Sequence, residues 1–183
     1  MWSQEVIFAG FGGQGILSMG KYLAYAGMEA NLNVSWLPSY GPEMRGGTAN
    51  CNVILTDAPI GSPIIIRATS LVVMNRPSLE KFEPLLEPGG LLIIDSDLIH
   101  RPVERTDVEV VRIPAQTVAE RIGSKKAANM ILLGALVQRT GMISLQELLQ
   151  AVADHSKGEY FAVNKRAIEE GAQLVASLVR AGE

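Results

Sequence analysis

Short apolar runs separated by amphipathic stretches fill the first two thirds of the chain. Val6, Ile7 and Phe8 in the run from Glu5 to Ala9 predict a buried strand, and the spacing over Ile16 to Met28 predicts a helix. Asn33 to Leu37 reads as a second strand ended by Pro38, followed by a polar, glycine-rich loop from Ser39 to Gly47. Thr48 to Thr56 alternates, with Cys51, Val53 and Leu55 on one side and Asn50 and Asn52 on the other, as a strand does. Leu71 to Met74 is a short buried strand. Asn75-Arg76-Pro77-Ser78 then turns the chain into a helix over Leu79 to Leu86, and Pro88-Gly89-Gly90 turns it into a strand over Leu91 to Asp95. A last strand, Val108 to Ile113, leads to a helix over Ala115 to Ile122.

The final third is helical. Ala127 to Val137 is apolar almost all round, which predicts a central buried helix rather than a surface one. Ser144 with Glu147 three residues on predicts a capped helix toward Ala153, and Asn164 is expected to cap the last helix, whose stripe is Ile168, Ala172, Val175 and Val179. The expected fold is α/β: a single wound, mostly parallel sheet with helices on both faces, a Rossmann-like first βα turn and a helical C-terminal third.

Composition narrows the function. The 183 residues are 48% hydrophobic and 19% charged, a sparse charge cover that suits buried subunit contacts. A net charge of -3 without any run of Lys or Arg speaks against nucleic acid as a partner. The single cysteine, Cys51, cannot build a disulfide, a zinc site or an iron-sulfur cluster, and its apolar strand predicts a buried, inert thiol. No leader-like start and no apolar run near 18 residues is seen, so no membrane is expected and the location is read as cytoplasmic.

The candidate chemistry centres on Gly10-Phe11-Gly12-Gly13-Gln14-Gly15 between the first strand and the first helix. In a GxGxxG turn the first glycine makes the bend, the second lets backbone amides approach a phosphate, and the third permits close helix packing. The helix amides would face the bound anion. The acid that holds a dinucleotide ribose about 20 residues further on is missing from Asn33 to Pro38, which counts against NAD. The same glycines would also serve packing alone. Arg45, between Met44 and Gly46-Gly47, either grips a phosphate or carboxylate or pairs with Glu43 or an acid of a partner chain. Tyr40 is read as a packing anchor, and His100 and His155 as surface residues. Asp95 and Asp97 either line the crevice at the strand ends or cap the next segment.

Gly10 to Ile16 (GFGGQGI) together with Pro38 to Asn52 (PSYGPEMRGGTANCN) closely resembles the gamma subunit of the 2-oxoacid:ferredoxin oxidoreductases. The resemblance runs over essentially the whole chain, 1–183, as one gamma-type domain. Asn75-Arg76-Pro77, Glu87-Pro88-Gly89-Gly90 and Asn129 fall in their expected places. It implies an oxidoreductase complex that oxidatively decarboxylates a 2-oxoacid, joins the acyl group to coenzyme A and passes electrons to ferredoxin. Thiamine diphosphate and iron-sulfur clusters would then lie in alpha, beta and delta partner subunits. This chain would close the complex, be inactive alone, and help bind coenzyme A through Gly10, Gly12, Gly13, Gln14, Gly15, Arg45 and Asn75. A purely structural subunit and a free-standing NAD-type protein are the other readings. The pyruvate branch has two adjacent arginines where this chain has Met44-Arg45, and a Gly-Ala pair in place of Gly46-Gly47. The wording here is nearer the 2-oxoglutarate and branched-chain branches, with 2-oxoglutarate favoured.

Overall fold

The computed structural model describes residues 1–40 and 47–181. Among these residues six strands form one sheet: β1 (Ser3–Phe11), β2 (Asn33–Tyr40), β3 (Thr48–Thr56), β4 (Ala68–Val73), β5 (Leu86–Asp95) and β6 (Glu109–Ile113), ordered β2-β3-β1-β4-β5-β6. β1, β4, β5 and β6 pair in parallel, whereas β3 runs antiparallel to both neighbours. The chain leaves β1 toward one edge and β4 toward the other. The switch point therefore falls between the carboxyl ends of β1 and β4, where wound sheets open a crevice.

Strand periodicity sorts the core into two sides. Val6, Phe8, Cys51, Val53, Val72, Met74 and Ile93 face one layer, and Ile7, Ala9, Ile54, Leu71, Val73 and Ile94 face the other. The helices divide unevenly between them. α1 (Ile16–Glu29), α3 (Ala115–Arg121), α4 (Ala128–Thr140), α5 (Leu145–His155) and α6 (Gly158–Ala181) build the first side. The second is covered by α2 (Arg76–Phe82), with Ile65 and Ile99 of the neighbouring connections.

Several boundaries differ from the sequence reading. β2 continues through Pro38, which sits opposite Cys51, to Tyr40. An edge strand tolerates proline because the missing N–H costs no bond on its open side. Pro88-Gly89-Gly90 is not a turn before β5 but an irregularity within it. The register with β4 shifts there, Gly89 takes φ 78°, and its N–H donates to the Asp107 carbonyl at 2.7 Å. The helix expected over Leu79 to Leu86 begins earlier and ends at Phe82, followed by a single 3-10 turn, Glu83–Leu85. Asn164 caps nothing, because α6 starts six residues before it. The Ser144–Glu147 capping box is present, with both reciprocal bonds made.

α4 is the packing centre. Every residue from Ala128 to Val137 is buried, because α6 lies against it on the side away from the sheet. Two glycines make the crossing close. A Cβ at Gly134 would strike the backbone of Ile168, and one at Gly171 would strike the backbone of Ile131. The contacts are reciprocal, each helix offering its notch to the other.

Gly134→Ala and Gly171→Ala are each expected to cost about 1–3 kcal/mol by overpacking against unyielding backbone, outweighing the roughly 1 kcal/mol that alanine gains in helix propensity. Gly158→Ala, where a Cβ meets open space, should be neutral or mildly stabilising; urea unfolding of the three variants checks the contrast. Cys51 has no exposed surface and burial pushes its thiol up to about 12. A thiol reagent should label the native chain only at the rate of unfolding, and label one site at once in denaturant.

Candidate functional site

The glycine turn leaves β1 at Phe11 and enters α1 through Gly15, and two glycines supply conformations that side chains avoid. Gly13 has φ 94° and Gly15 has φ 75°. Left-handed Gly15 is the N-cap of α1, which has no side-chain cap among the described residues and no acid in its first turn. The amides of Ile16, Leu17 and Ser18 have no partner within the helix, and they carry the positive end of its dipole. Phe11, Gly12, Gly13, Gly15, Ser18 and Thr48 are among the residues lining a cavity of about 300 Å³ there.

The rest of the motif is turned inward. Gln14 Oε1 accepts from the Phe11 N–H at 2.6 Å and Gln14 Nε2 donates to the Met74 carbonyl at 3.1 Å, tying the end of β1 to the end of β4. Gly10 is buried beneath it, and a Cβ there would meet Gln14 Oε1 at 2.5 Å and Ile16 Cδ1 at 2.7 Å. The close approach at Gly15 is to Asn129 at the start of α4, not to the sheet. Asn129 Nδ2 donates to the Gly15 carbonyl at 3.1 Å and leaves no room for a Cβ. Gly12 donates its N–H to the Gly47 carbonyl at 2.8 Å. Sequence reasoning missed Ser18 and Thr48 as lining residues. Counting three residues into α1 finds Ser18, whereas Thr48 needs the β1–β3 register, in which it sits opposite Phe11.

Asn75, at the end of β4, caps α2 by accepting from the Ser78 N–H at 2.8 Å. Its Nδ2 is buried with no hydrogen-bond partner among the described residues. Arg45 lies outside the described residues; Gly47, two residues on, joins the glycine turn through Gly12. The carboxylates at the end of β5 are bonded to the first turn of α3. Asp97 accepts from the Thr117 N–H at 2.7 Å in the first turn of α3, and Asp95 accepts from Gln116 Nε2 at 2.8 Å. Burial pushes the Asp95 carboxyl above its ordinary range, partly offset by that bond. His155 stacks on Tyr25 with ring centroids 3.6 Å apart.

The topology also bears on the missing ribose acid. β3 lies between β1 and β2, so the end of β2 stands one strand further from the glycine turn than a neighbouring strand would. β2 itself, NVSWLPSY, contains no acid.

A family model described as pyruvate ferredoxin/flavodoxin oxidoreductase matches residues 5–174. The chain is 32% identical over 179 residues to the 2-oxoglutarate synthase subunit KorC of Methanothermobacter thermautotrophicus, covering 94% of this chain and 95% of that one. It is 36% identical over 173 residues to the ketoisovalerate oxidoreductase subunit VorA of the same organism, covering 92% of this chain but 36% of the relative. The chain thus spans about a third of the length of the VorA proteins it matches. Among solved structures, the gamma subunit of a keto/oxoacid ferredoxin oxidoreductase from Geobacter sulfurreducens PCA superposes with a TM-score of 0.87 at 26% identity, over 97% of this chain and 98% of that one. The 2-oxoglutarate:ferredoxin oxidoreductase of Magnetococcus marinus, whose structure has 2-oxoglutarate, coenzyme A and succinyl-CoA bound, superposes equally well at 25% identity, over 97% of this chain and 32% of that one. With the sheet, the glycine turn and these relatives in agreement, the chain belongs to the pyruvate ferredoxin/flavodoxin oxidoreductase family and has the fold of its gamma subunits.

Proposed function

We propose that this chain is the gamma-type subunit of a 2-oxoacid:ferredoxin oxidoreductase acting on 2-oxoglutarate, and that its glycine turn holds coenzyme A by the diphosphate. The observation that carries the binding role is the uncapped, acid-free end of α1 facing a cavity beside the turn. Anions favour such an end because orphan amides and the dipole act together. Support for coenzyme A comes from the Magnetococcus marinus relative, and support for 2-oxoglutarate from the near full-length match to KorC subunits. Gly12, Gly13 and Gly15 present the backbone, while Gly10 and Gln14 fix its shape. Asn75 Nδ2 offers a donor at the neighbouring strand end. Arg45 supplies a guanidinium fork for coenzyme A or for a carboxylate of a catalytic subunit. Thiamine diphosphate and the iron-sulfur clusters reside in alpha, beta and delta partners, which carry out decarboxylation and pass electrons to ferredoxin.

The purified chain is expected to show no 2-oxoglutarate-dependent dye reduction until catalytic subunits are added; turnover by the chain alone contradicts the assignment. Ser18 is the third residue of α1, so Ser18→Asp should stabilise the helix by about 0.3–1 kcal/mol through the dipole while repelling a phosphate. Higher thermal stability with at least about tenfold weaker coenzyme A binding, by calorimetry, is the expected pair of results. Stability gained with affinity intact would mean that the turn only packs. Arg45→Lys should weaken the complex or its coenzyme A affinity nearly as much as Arg45→Ala, because lysine keeps the charge but loses the fork. Normal values for both variants would make Arg45 a solvated side chain.

A further inference from the structure

A groove of about 610 Å³ opens at the end of the sheet opposite the glycine turn, where Ser3 pairs with Thr56. Its floor is the second face of the sheet. Glu5 and Ile54 stand directly opposite each other there in the β1–β3 register, on the side of Ile7 and Ala9. The rim is the connection from β3 to β4. Ile65 of that connection is buried against the second layer, while Ile64 and Ile66 on either side of it are 64% and 78% exposed. Ile60 and Met1 extend the apolar rim. A single exposed apolar side chain needs no explanation, but several gathered on one concavity mark an interaction surface.

Two carboxylates, Glu5 and Glu87, line the same groove. Burial first, and the Glu87 charge second, push the Glu5 carboxyl above its ordinary range, with no cation among the described residues offsetting them. Arg67 on the rim is exposed and in no ion pair among the described residues. The groove thus joins apolar side chains to negative charge that is left unneutralised. That combination suits a lysine or arginine with apolar neighbours, whose stem lies along the isoleucines while its head meets the carboxylates.

We propose that this groove is the docking surface for another subunit of the oxidoreductase complex, which inserts a basic side chain flanked by apolar ones. The inference rests on the subunit reading above and adds the place of contact and the chemistry of the partner segment. In VorA and in the Magnetococcus marinus enzyme, this domain makes up about a third of a longer chain and is joined to about twice its own length. Docking through the groove leaves the glycine turn, at the other end of β1, open to its ligand.

Sedimentation of the full chain with separately purified catalytic subunits, at low and high salt, tests this. The native chain should associate, and more weakly as salt screens the charges. Ile64 and Ile66 are exposed, so Ile64→Ser/Ile66→Ser should fold, as a thermal melt checks, and associate at least about tenfold more weakly. Glu5→Gln/Glu87→Gln relieves a like-charge repulsion, so it should melt no lower than the native chain yet associate more weakly and lose the salt dependence. Val110→Ser/Leu178→Ser, at exposed apolar positions away from the groove, should associate as the native chain does. Native association in both groove variants overturns the docking surface and leaves the subunit reading standing. A loss confined to the isoleucine variant overturns the basic partner, and an equal loss at Val110 and Leu178 overturns the location. If the native chain pairs with itself and the isoleucine variant is a monomer, the occupant is a second copy and the proposal fails. A native chain that joins no catalytic subunit ends the subunit reading, and this proposal with it.

Discussion

A helix without a polar face is stable only when something covers it on every side, and α4 meets that condition by lying between the sheet and α6. The covering is close enough that Gly134 and Gly171 each admit the backbone of the opposite helix. The same burial fixes the start of α4, where Asn129 reaches the Gly15 carbonyl. Gly15 is thereby held in the left-handed conformation that opens α1 toward the cavity. The shape of the glycine turn is thus set from two directions, by Asn129 from the helical layer and by Gln14 from the end of β4. Neither side chain has to touch a ligand in order to determine where the amides point.

Periodicity made most of the elements legible before the structure. The alternation in β3, the all-apolar α4 and the Ser144–Glu147 box are local signals, and each element appears where its signal lies. The misplaced boundaries share a cause: a local rule overruled by tertiary contact. Pro38 ends a strand only if its N–H is needed, and on the open edge of β2 it is not. Pro88-Gly89-Gly90 carries turn chemistry, yet Asp107 takes the Gly89 N–H and keeps the segment in β5 as an irregular stretch. Asn164 has the right residue type for a cap, but α6 had begun at Gly158. The glycine turn itself was readable as a motif. Which of its residues faced outward was not, because that depends on Met74 and Asn129, 60 and 114 residues distant from their partners.

The glycine turn and the sheet order together set this first unit apart from a dinucleotide fold. A dinucleotide fold uses two features of its first unit, helix amides for the phosphates and an acid from the adjacent strand for the ribose. Here α1 begins without a side-chain cap among the described residues, at glycines beside the cavity. The second is lost twice over, since β2 has no acid and antiparallel β3 has been inserted between it and β1. The carbonyl of Gly47 just before β3 is bonded to Gly12, which ties the start of β3 to the glycine turn. Such a turn lacks the ribose contact of a dinucleotide site while keeping the unpaired helix amides on which the proposed anion site depends.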